Sequence, residues 1–350
     1  MEDKGKISSI LVRVPNWIGD AVICLPALEC LKGLYPGAGI TVLARARVIP
    51  VFENNPDVDG IIEYDDAGRH GGLKGRFRLR GEVRKMGFDM AVLFQNAFDA
   101  AFIAFISGIP ERVGYARDFR TRLLTRPVTV TGEIKKGHQA HYYLNIVNKL
   151  GGQCTREPLP RLYVSEKEDA WADKFLRDNG VAGAPLIGAA PGASYGPAKR
   201  WMAEGFARVL TRLSVRYGAV PLIFGGSADA PECAEVSEMI KTKHIDLCGR
   251  TALRESIALL RRLKVFITND SGPMHLSAAL GAPTVAVFGS TAPHLTGPLG
   301  KKTAVVKTGI ECSPCFDRVC RYGHYGCLSA IGADEVAAKA ESLLDGPGDG

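Results

Sequence analysis

Two α/β domains, each a doubly wound, Rossmann-like parallel sheet, are what this sequence predicts. Three observations lead there. Short β-rich apolar runs alternate with helical patterns in both halves of the chain, which is how successive βα units are written. The 350 residues exceed what one hydrophobic core usually supports. The segments following the apolar runs are rich in glycine, serine and charge, as the ligand-binding ends of parallel strands are.

In the first half, Ile7 to Val14, Gly39 to Ala44, Gly60 to Tyr64 and Met90 to Phe94 read as strands. A helix is expected from Asp20 to Tyr35, because Ala21, Cys24, Leu25, Leu28, Leu31 and Leu34 share one face and Pro36-Gly37 stops it. The run from Asp99 to Ser107 is apolar almost all round, so it is either a buried helix or a surface that meets something greasy. After the Pro-flanked Glu157 to Arg161 region, strands are expected at Leu186 to Ala190, Ala219 to Phe224, Val265 to Thr268 and Pro283 to Phe288. Helices at Glu204 to Tyr217, Ala230 to Lys241, Leu253 to Arg262 and Ser271 to Leu280 fill the intervals. The expected domains are residues 1–170 and 171–330, joined near 160–185. A last helix, about Ala333 to Leu344 within 331–345, is expected to cross back to the first domain and to precede a disordered Gly-Pro-Gly-Asp-Gly tail.

Composition narrows the class. Hydrophobic content of 46% describes a soluble globular protein, and no apolar run approaches the ~18 residues of a membrane-spanning helix. Met1 to Lys6 lacks a secretory pattern, so a cytoplasmic location is expected. Nine cysteines without an export signal then point to reduced thiols rather than a disulfide framework. The excess charge of +7 falls entirely within residues 67–126, where 12 Lys and Arg face 5 Asp and Glu. Arg76, Arg78, Arg80, Arg117 and Arg120 stand out there, and they read either as a solvated basic face or as the seat of an anionic partner. Stacking platforms and nucleic-acid motifs are missing, which argues against nucleic acid.

Thr268 to His275 is the most informative stretch. It joins a strand to a helix through Asn269-Asp270-Ser271-Gly272, where outward N–H groups and the positive helix end make an anion site and Ser271 is expected to cap. By itself it reads equally as an ordinary capped βα turn. A helix end contributes roughly 0.3–1 kcal/mol, ~2 when partly buried, whereas micromolar nucleotide binding needs about 8. A cation must therefore help, and Lys199 is the candidate, although spacing alone reads it as a surface lysine beside Trp201. Neither a G-x-G-x-x-G fingerprint after a strand nor a P-loop occurs, which disfavours NAD enzymes and P-loop NTPases.

Taken together, Asn16-Trp17-Ile18-Gly19-Asp20-Ala21 with Leu25-Pro26-Ala27-Leu28, Pro191-Gly192-Ala193 with Pro197-Ala198-Lys199-Arg200-Trp201, Asn269-Asp270-Ser271-Gly272 with Met274-His275, and Cys312-Ser313-Pro314-Cys315 resemble the ADP-heptose:lipopolysaccharide heptosyltransferases over nearly the whole chain. The heptosyltransferase II branch is the most similar. The resemblance implies the GT-B architecture, with two domains facing across a cleft, and inverting, metal-independent transfer of L-glycero-D-manno-heptose from ADP-heptose to the lipopolysaccharide inner core, most like the second heptose on heptosyl-Kdo2-lipid A. It implies no cofactor beyond the donor substrate. Asp20 would be the catalytic base, though alone it reads as a helix N-cap. Lys199, Ser271 and Gly272 would meet the diphosphate, with Asp270 at heptose hydroxyls, His275 near the diphosphate, and Ser194, Gly226 and Ser227 completing the donor site. His275 alone reads as a packed helix histidine. Asn16 and Trp17, with the five arginines, would face an anionic, lipid-linked core oligosaccharide, placing a monomer in peripheral contact with the inner membrane. Pro273 stands where the family more often has leucine, and Gly226-Ser227 replace a glutamate of the heptosyltransferase I branch. Alternatives are a relative acting at another core position or on another nucleotide-sugar, and an inactive nucleotide- or lipopolysaccharide-binding module. Cys312, Cys315, Cys320 and Cys327 fit no zinc or iron–sulfur spacing, and no metal is expected.

Overall fold

A computed structural model describes residues 7–155 and 157–346. The leader reading at residues 1–6 and residues 347–350 of the tail lie outside the described residues. The chain divides between Tyr163 and Val164 into two units.

The first unit holds six parallel strands, β1 (Ser9–Arg13), β2 (Gly39–Ala44), β3 (Gly60–Glu63), β4 (Met90–Leu93), β5 (Glu111–Tyr115) and β6 (Arg126–Val128), in the order β3-β2-β1-β4-β5-β6. In register, Val12 of β1 lies between Val42 and Val92. The second unit repeats this plan with β7 (Leu186–Ala190), β8 (Val220–Ile223), β9 (Ile245–Asp246), β10 (Val265–Asn269), β11 (Thr284–Phe288) and β12 (Thr303–Lys307), ordered β12-β11-β10-β7-β8-β9. In both sheets the order reverses beside the first strand, between β1 and β4 and between β7 and β10. Strands β4, β7, β10 and β11 are buried along their whole length, so both faces are covered, as a parallel sheet requires.

The eight expected strands form. The other four, β5, β6, β9 and β12, were not legible: Glu111-Arg112 opens β5, Arg126-Pro127 opens β6, β9 has two residues, and β12 ends on Lys307. The expected helix from Asp20 to Tyr35 is two helices, Ile18–Ile23 and Leu25–Leu34, separated at Cys24. Pro26 has no N–H to offer the carbonyl one turn earlier, which breaks the ladder there. Residues 98–106 form a helix that resolves its two readings by side: Ala100, Ala101, Ile103 and Ala104 are buried, whereas Phe98 and Phe105 stand half exposed.

One further expectation is corrected. Cys30 and Cys154 form a disulfide joining the helix Leu25–Leu34 to the segment after the helix Gln139–Asn148, with a Cα–Cα distance of 5.6 Å, so the cysteines are not all reduced thiols. The last helix, Ala333–Asp345, packs within the second unit. Its Val336, Ala337 and Ala340 join the core that holds Trp201, Phe206 and Leu328, and Arg212 donates to both oxygens of Glu341 at 2.8 and 2.9 Å.

The second unit begins earlier than residue 171 because the helix Glu166–Asp178 is anchored in it. Ser165 and Glu168 form a capping box, and Arg254 grips Glu168 through two bonds of 2.6 and 2.7 Å. The guanidinium, then the Ser165 donors, pull the Glu168 carboxyl from 4.5 down to about 2 against the opposing effect of burial. A depressed folded-state pKa contributes stability that is full above the unfolded value and is lost as pH falls through the folded one. The melting temperature of the wild type is therefore expected to fall as pH drops from ~4.5 to ~2, and Arg254→Met is expected to flatten that dependence.

Candidate active site

Open parallel sheets bind ligands beyond the carboxyl ends of their strands where the order reverses. In the second unit that point is the pair β7 and β10. Asp270 follows β10 directly, and Lys199 closes the short turn Pro197–Lys199 that follows β7. The Lys199 Nζ stands 2.5 Å from Asp270 Oδ2, and both side chains are largely buried. Thr291, in the loop after β11, donates its hydroxyl to the same oxygen at 2.5 Å. The Asp270 N–H donates to the Val287 carbonyl at 3.1 Å, so both the backbone and the carboxylate of Asp270 are fixed by β11 and its loop.

Asn269 sets the loop that carries Lys199. Its Nδ2 donates to the Pro191 carbonyl at 2.6 Å, and its Oδ1 accepts from the Trp201 N–H at 3.0 Å. Trp201 in turn is buried and donates its indole N–H to Ile331 at 3.1 Å. Gly196 takes φ +148°, and a Cβ there would come 2.4 Å from the Arg318 carbonyl, which accepts from the Ala198 N–H; only glycine fits. The Tyr195 ring meets two cations, Lys199 Nζ at 4.7 Å and the Arg318 guanidinium at 5.2 Å from its centre. The chemistry this permits is anion binding: two cations against one carboxylate, beside the start of the helix Gly272–Ala279.

Ser271 does not cap that helix. It occupies the cap position in extended backbone, but its side chain makes no cap bond and its Oγ lies 3.5 Å from Thr268 Oγ1. Gly272 opens the helix half-exposed, and His275, one turn in, is buried. Ser194 is exposed in the loop after β7, and Gly226 and Ser227 are exposed in the loop after β8. These two loops touch, since a Cβ on Gly192 would come 2.2 Å from Asp229 Oδ1, whose partner oxygen accepts from the Gly226 N–H at 3.0 Å. The structure thus gathers Ser194, Lys199, Gly226, Ser227, Asp270, Ser271 and Gly272 on the loops at one sheet edge. Thr291, Tyr195 and Arg318 were missed. Thr291 had a signal, as it follows the expected strand Pro283 to Phe288, but Arg318 sits in an irregular segment with no periodicity.

In the first unit the loop after β1 carries Asn16 and Trp17. Arg13 Nη2 donates to Asn16 Oδ1 at 2.8 Å, Arg47 Nε donates to the Asn16 carbonyl at 2.7 Å, and the Arg47 guanidinium lies 4.6 Å over the half-exposed Trp17 ring. Trp17 is the N-cap of the helix Ile18–Ile23, so Asp20 is a first-turn residue rather than the cap. Asp20 is half-buried, and after burial its charge is the next cause that raises the Cys24 thiol and the Tyr143 hydroxyl. Beneath the loop, burial holds the Arg13 guanidinium down to about 10. Burial and then the hydrogen bond to Asp99 push Tyr64 up to about 12.

The five arginines do not form one surface. Arg120 is wholly buried, its guanidinium bonded to Tyr115, Gln95 and Asn96, and burial lowers it to about 10; it braces the loops after β4 and β5 and is not a contact residue. Arg76 pairs with Asp99 at 2.6 Å, and Arg80 donates to the Ile106 carbonyl at 2.7 Å. Arg78 is exposed, and Arg117 is half-exposed between Asp118 and Tyr142. Cys312, Cys315, Cys320 and Cys327 line one small cavity with His324. Among the described residues no group of three or more His, Cys, Asp or Glu is arranged to hold a metal ion.

A family model described as Glycosyltransferase family 9 (heptosyltransferase) matches residues 76–326. The chain belongs to this family. It is a glycosyltransferase. Lipopolysaccharide heptosyltransferase 2 of Escherichia coli K12 is 32% identical over 310 residues, covering 85% of this chain and 87% of that protein. The protein of the same name from Salmonella typhimurium LT2 is 32% identical over 97% of this chain and 99% of its own length. The solved E. coli ADP-heptose lps heptosyltransferase II superposes with a TM-score of 0.81 at 27% identity, covering 96% of this chain and 98% of that one. A family 9 glycosyl transferase from Veillonella parvula superposes with a TM-score of 0.89 at 28% identity, covering 97% and 98%. The fold is the α/β class of these GT-B neighbours. Asp20 lies ahead of the matched segment.

Asn269→Ala would orphan two buried groups at once, the Pro191 carbonyl and the Trp201 N–H. Denaturant unfolding is expected to register a loss of about 2–4 kcal/mol, the sum of two unmade buried hydrogen bonds.

Proposed function

We propose that this glycosyltransferase moves L-glycero-D-manno-heptose from ADP-heptose to the lipopolysaccharide inner core, with inversion and without a metal ion, adding the second heptose to heptosyl-Kdo2-lipid A. The observation that carries this is the likeness to proteins named heptosyltransferase 2 along almost the entire chain. The chemistry of the second unit supports it. An ammonium has three donors, and Lys199 spends one on Asp270, which leaves donors for phosphate oxygens. Together with Arg318 and the N–H groups of Ser271 and Gly272, it offers the positive charge a leaving diphosphate needs. Asp270, set by Thr291, meets heptose hydroxyls; Ser194, Gly226 and Ser227 serve the rest of the donor, with His275 behind the first turn of the helix.

The step balances as follows. The bond from the anomeric carbon to the β-phosphate oxygen breaks, its electron pair leaves with ADP, and Lys199 and the helix end take up the growing charge. The acceptor hydroxyl oxygen bonds to the opposite face of that carbon, and its proton passes to the Asp20 carboxylate. Asn16, Trp17, Arg78 and Arg117 of the first unit meet the anionic, lipid-linked acceptor, which brings the enzyme into peripheral contact with a membrane.

Asp20→Asn is expected to lower turnover by about 10² to 10⁴ while calorimetry finds ADP-heptose affinity unchanged; full activity would leave Asp20 as a residue that only complements the helix dipole. Mass spectrometry of reactions on Kdo2-lipid A with and without the first heptose is expected to detect heptose addition only on the heptosylated acceptor. Transfer to the bare acceptor would move the reaction to another core position, and no transfer from ADP-heptose to either would refute the donor.

A further inference from the structure

The helices Gly72–Lys85 and Phe98–Ile106 pack side by side in the first unit. Arg76 on Asp99 and Arg80 on Ile106 fill the seam between them, and these contacts fix which way each helix faces. On the first helix Gly75, Leu79 and Val83 are buried. At about 100° per residue, the surface turns from that stripe past Arg76 and Arg80 to Leu73, Arg84 and Phe77. On the second, Ala100, Ala101 and Ala104 face the core and Asp99 and Ile106 face the seam, so Phe98, Phe102 and Phe105 face outward beside it. Leu73 is 67% exposed, Phe77 56%, Phe98 47% and Phe105 48%, and the rings of Phe98 and Phe102 stack with centroids 5.9 Å apart. Five large apolar side chains therefore border one seam on its solvent side. Scattered exposed hydrophobics need no explanation; a contiguous patch does.

Charge says what covers it. Lys74, Arg78, Arg84 and Lys85 are exposed along the first helix, and Glu82 is its only acid. An apolar stripe rimmed by basic side chains is the pattern of a helix lying in the headgroup plane of an anionic bilayer, its aromatic groups among the acyl chains. We propose that this seam is the membrane-docking face of the protein, with Leu73, Phe77, Phe98, Phe102 and Phe105 inserted and the lysines and arginines on anionic headgroups. It deepens the reading above, whose acceptor is lipid-linked, by naming the surface that meets the lipid. The placement is apt. Both helices begin beyond the carboxyl ends of β3 and β4, the sheet edge at which the loop after β1 presents Trp17 and Asp20. Tyr64, bonded to Asp99 and lying 5.3 Å from the Arg13 guanidinium that holds Asn16, links that loop to the seam.

Co-sedimentation of the full chain with vesicles, in the absence of any sugar nucleotide or acceptor, tests the surface independently of transferase activity. Wild type is expected to pellet with phosphatidylcholine vesicles containing phosphatidylglycerol, much less with phosphatidylcholine alone, and less in high salt. The double substitution Leu73→Ser and Phe77→Ser is expected to weaken partitioning at least about tenfold, with circular dichroism and the melting temperature unchanged. Phe77→Trp should retain binding and show a blue-shifted emission increment on adding anionic vesicles. Wild type that stays in the supernatant, or a Ser variant that pellets as well as wild type, would overturn the proposal. So would sedimentation velocity showing that the patch is covered by a second copy of the chain. Vesicle binding with no heptose transfer would leave the docking face standing and remove the substrate reading instead.

Discussion

The reversal of strand order in each sheet is the constraint on which the remainder depends. A parallel sheet sends all its strand ends to one edge, and where neighbouring chain crossings depart in opposite directions a crevice opens that no helix covers. In the second unit β7 and β10 flank that crevice. Asn269 closes its floor by holding the loop after β7 to the end of β10. With the floor fixed, Lys199 and Asp270 meet; without it they would be residues 71 positions apart on separate loops. Thr291, arriving from β11, completes the set because β11 is the next strand outward.

Charge in this molecule is sorted by burial more than by sequence. The basic window of the first unit contains arginines with opposite tasks. Arg120, sealed from water, spends its donors on the carbonyls and amide of two loops, and burial alone would make it costly if any were left unmade. Arg76 and Arg80 stitch one helix to the next, while Arg78, on neither the core nor the seam face, keeps its charge in solvent. A net charge computed over the window cannot distinguish a brace from a contact surface. The same logic applies to the apolar run at 98–106, where the alanines and Ile103 make the core contact and Phe98 and Phe105 stand half exposed.

The two units also differ in how their loops are held. Around β7 and β10 the fixing bonds are buried and backbone-directed, through Asn269, Trp201 and the Gly196 turn, so the anion-binding groups are preorganised. Around β1 the loop is held by side chains, Arg13 from below and the half-exposed Arg47–Trp17 stack from outside. A loop held from its solvent side can adjust to a large substrate at small cost, which suits the part assigned to the acceptor.

By itself the sequence determined the layered α/β class, eight of the twelve strands, the helices between them and the strand-end loops that hold most of the donor-side candidates. These are local or periodic properties: an apolar run buried on both faces and an amphipathic helix each write their own pattern. It did not determine β5, β6, β9 and β12, which are charged or very short and whose pairing comes from a neighbour rather than from composition, nor the break at Cys24, which one proline imposed on an otherwise continuous stripe. Tertiary structure alone decided that Cys30 meets Cys154, that the last helix packs on Arg212 and the second core, and that Arg120 is internal. It also decided that Thr291 shares the Asp270 carboxylate with Lys199, and that Arg318 shares the Tyr195 ring with it. Each of these is a contact between segments distant in sequence, and such contacts follow from strand order, which no local pattern records.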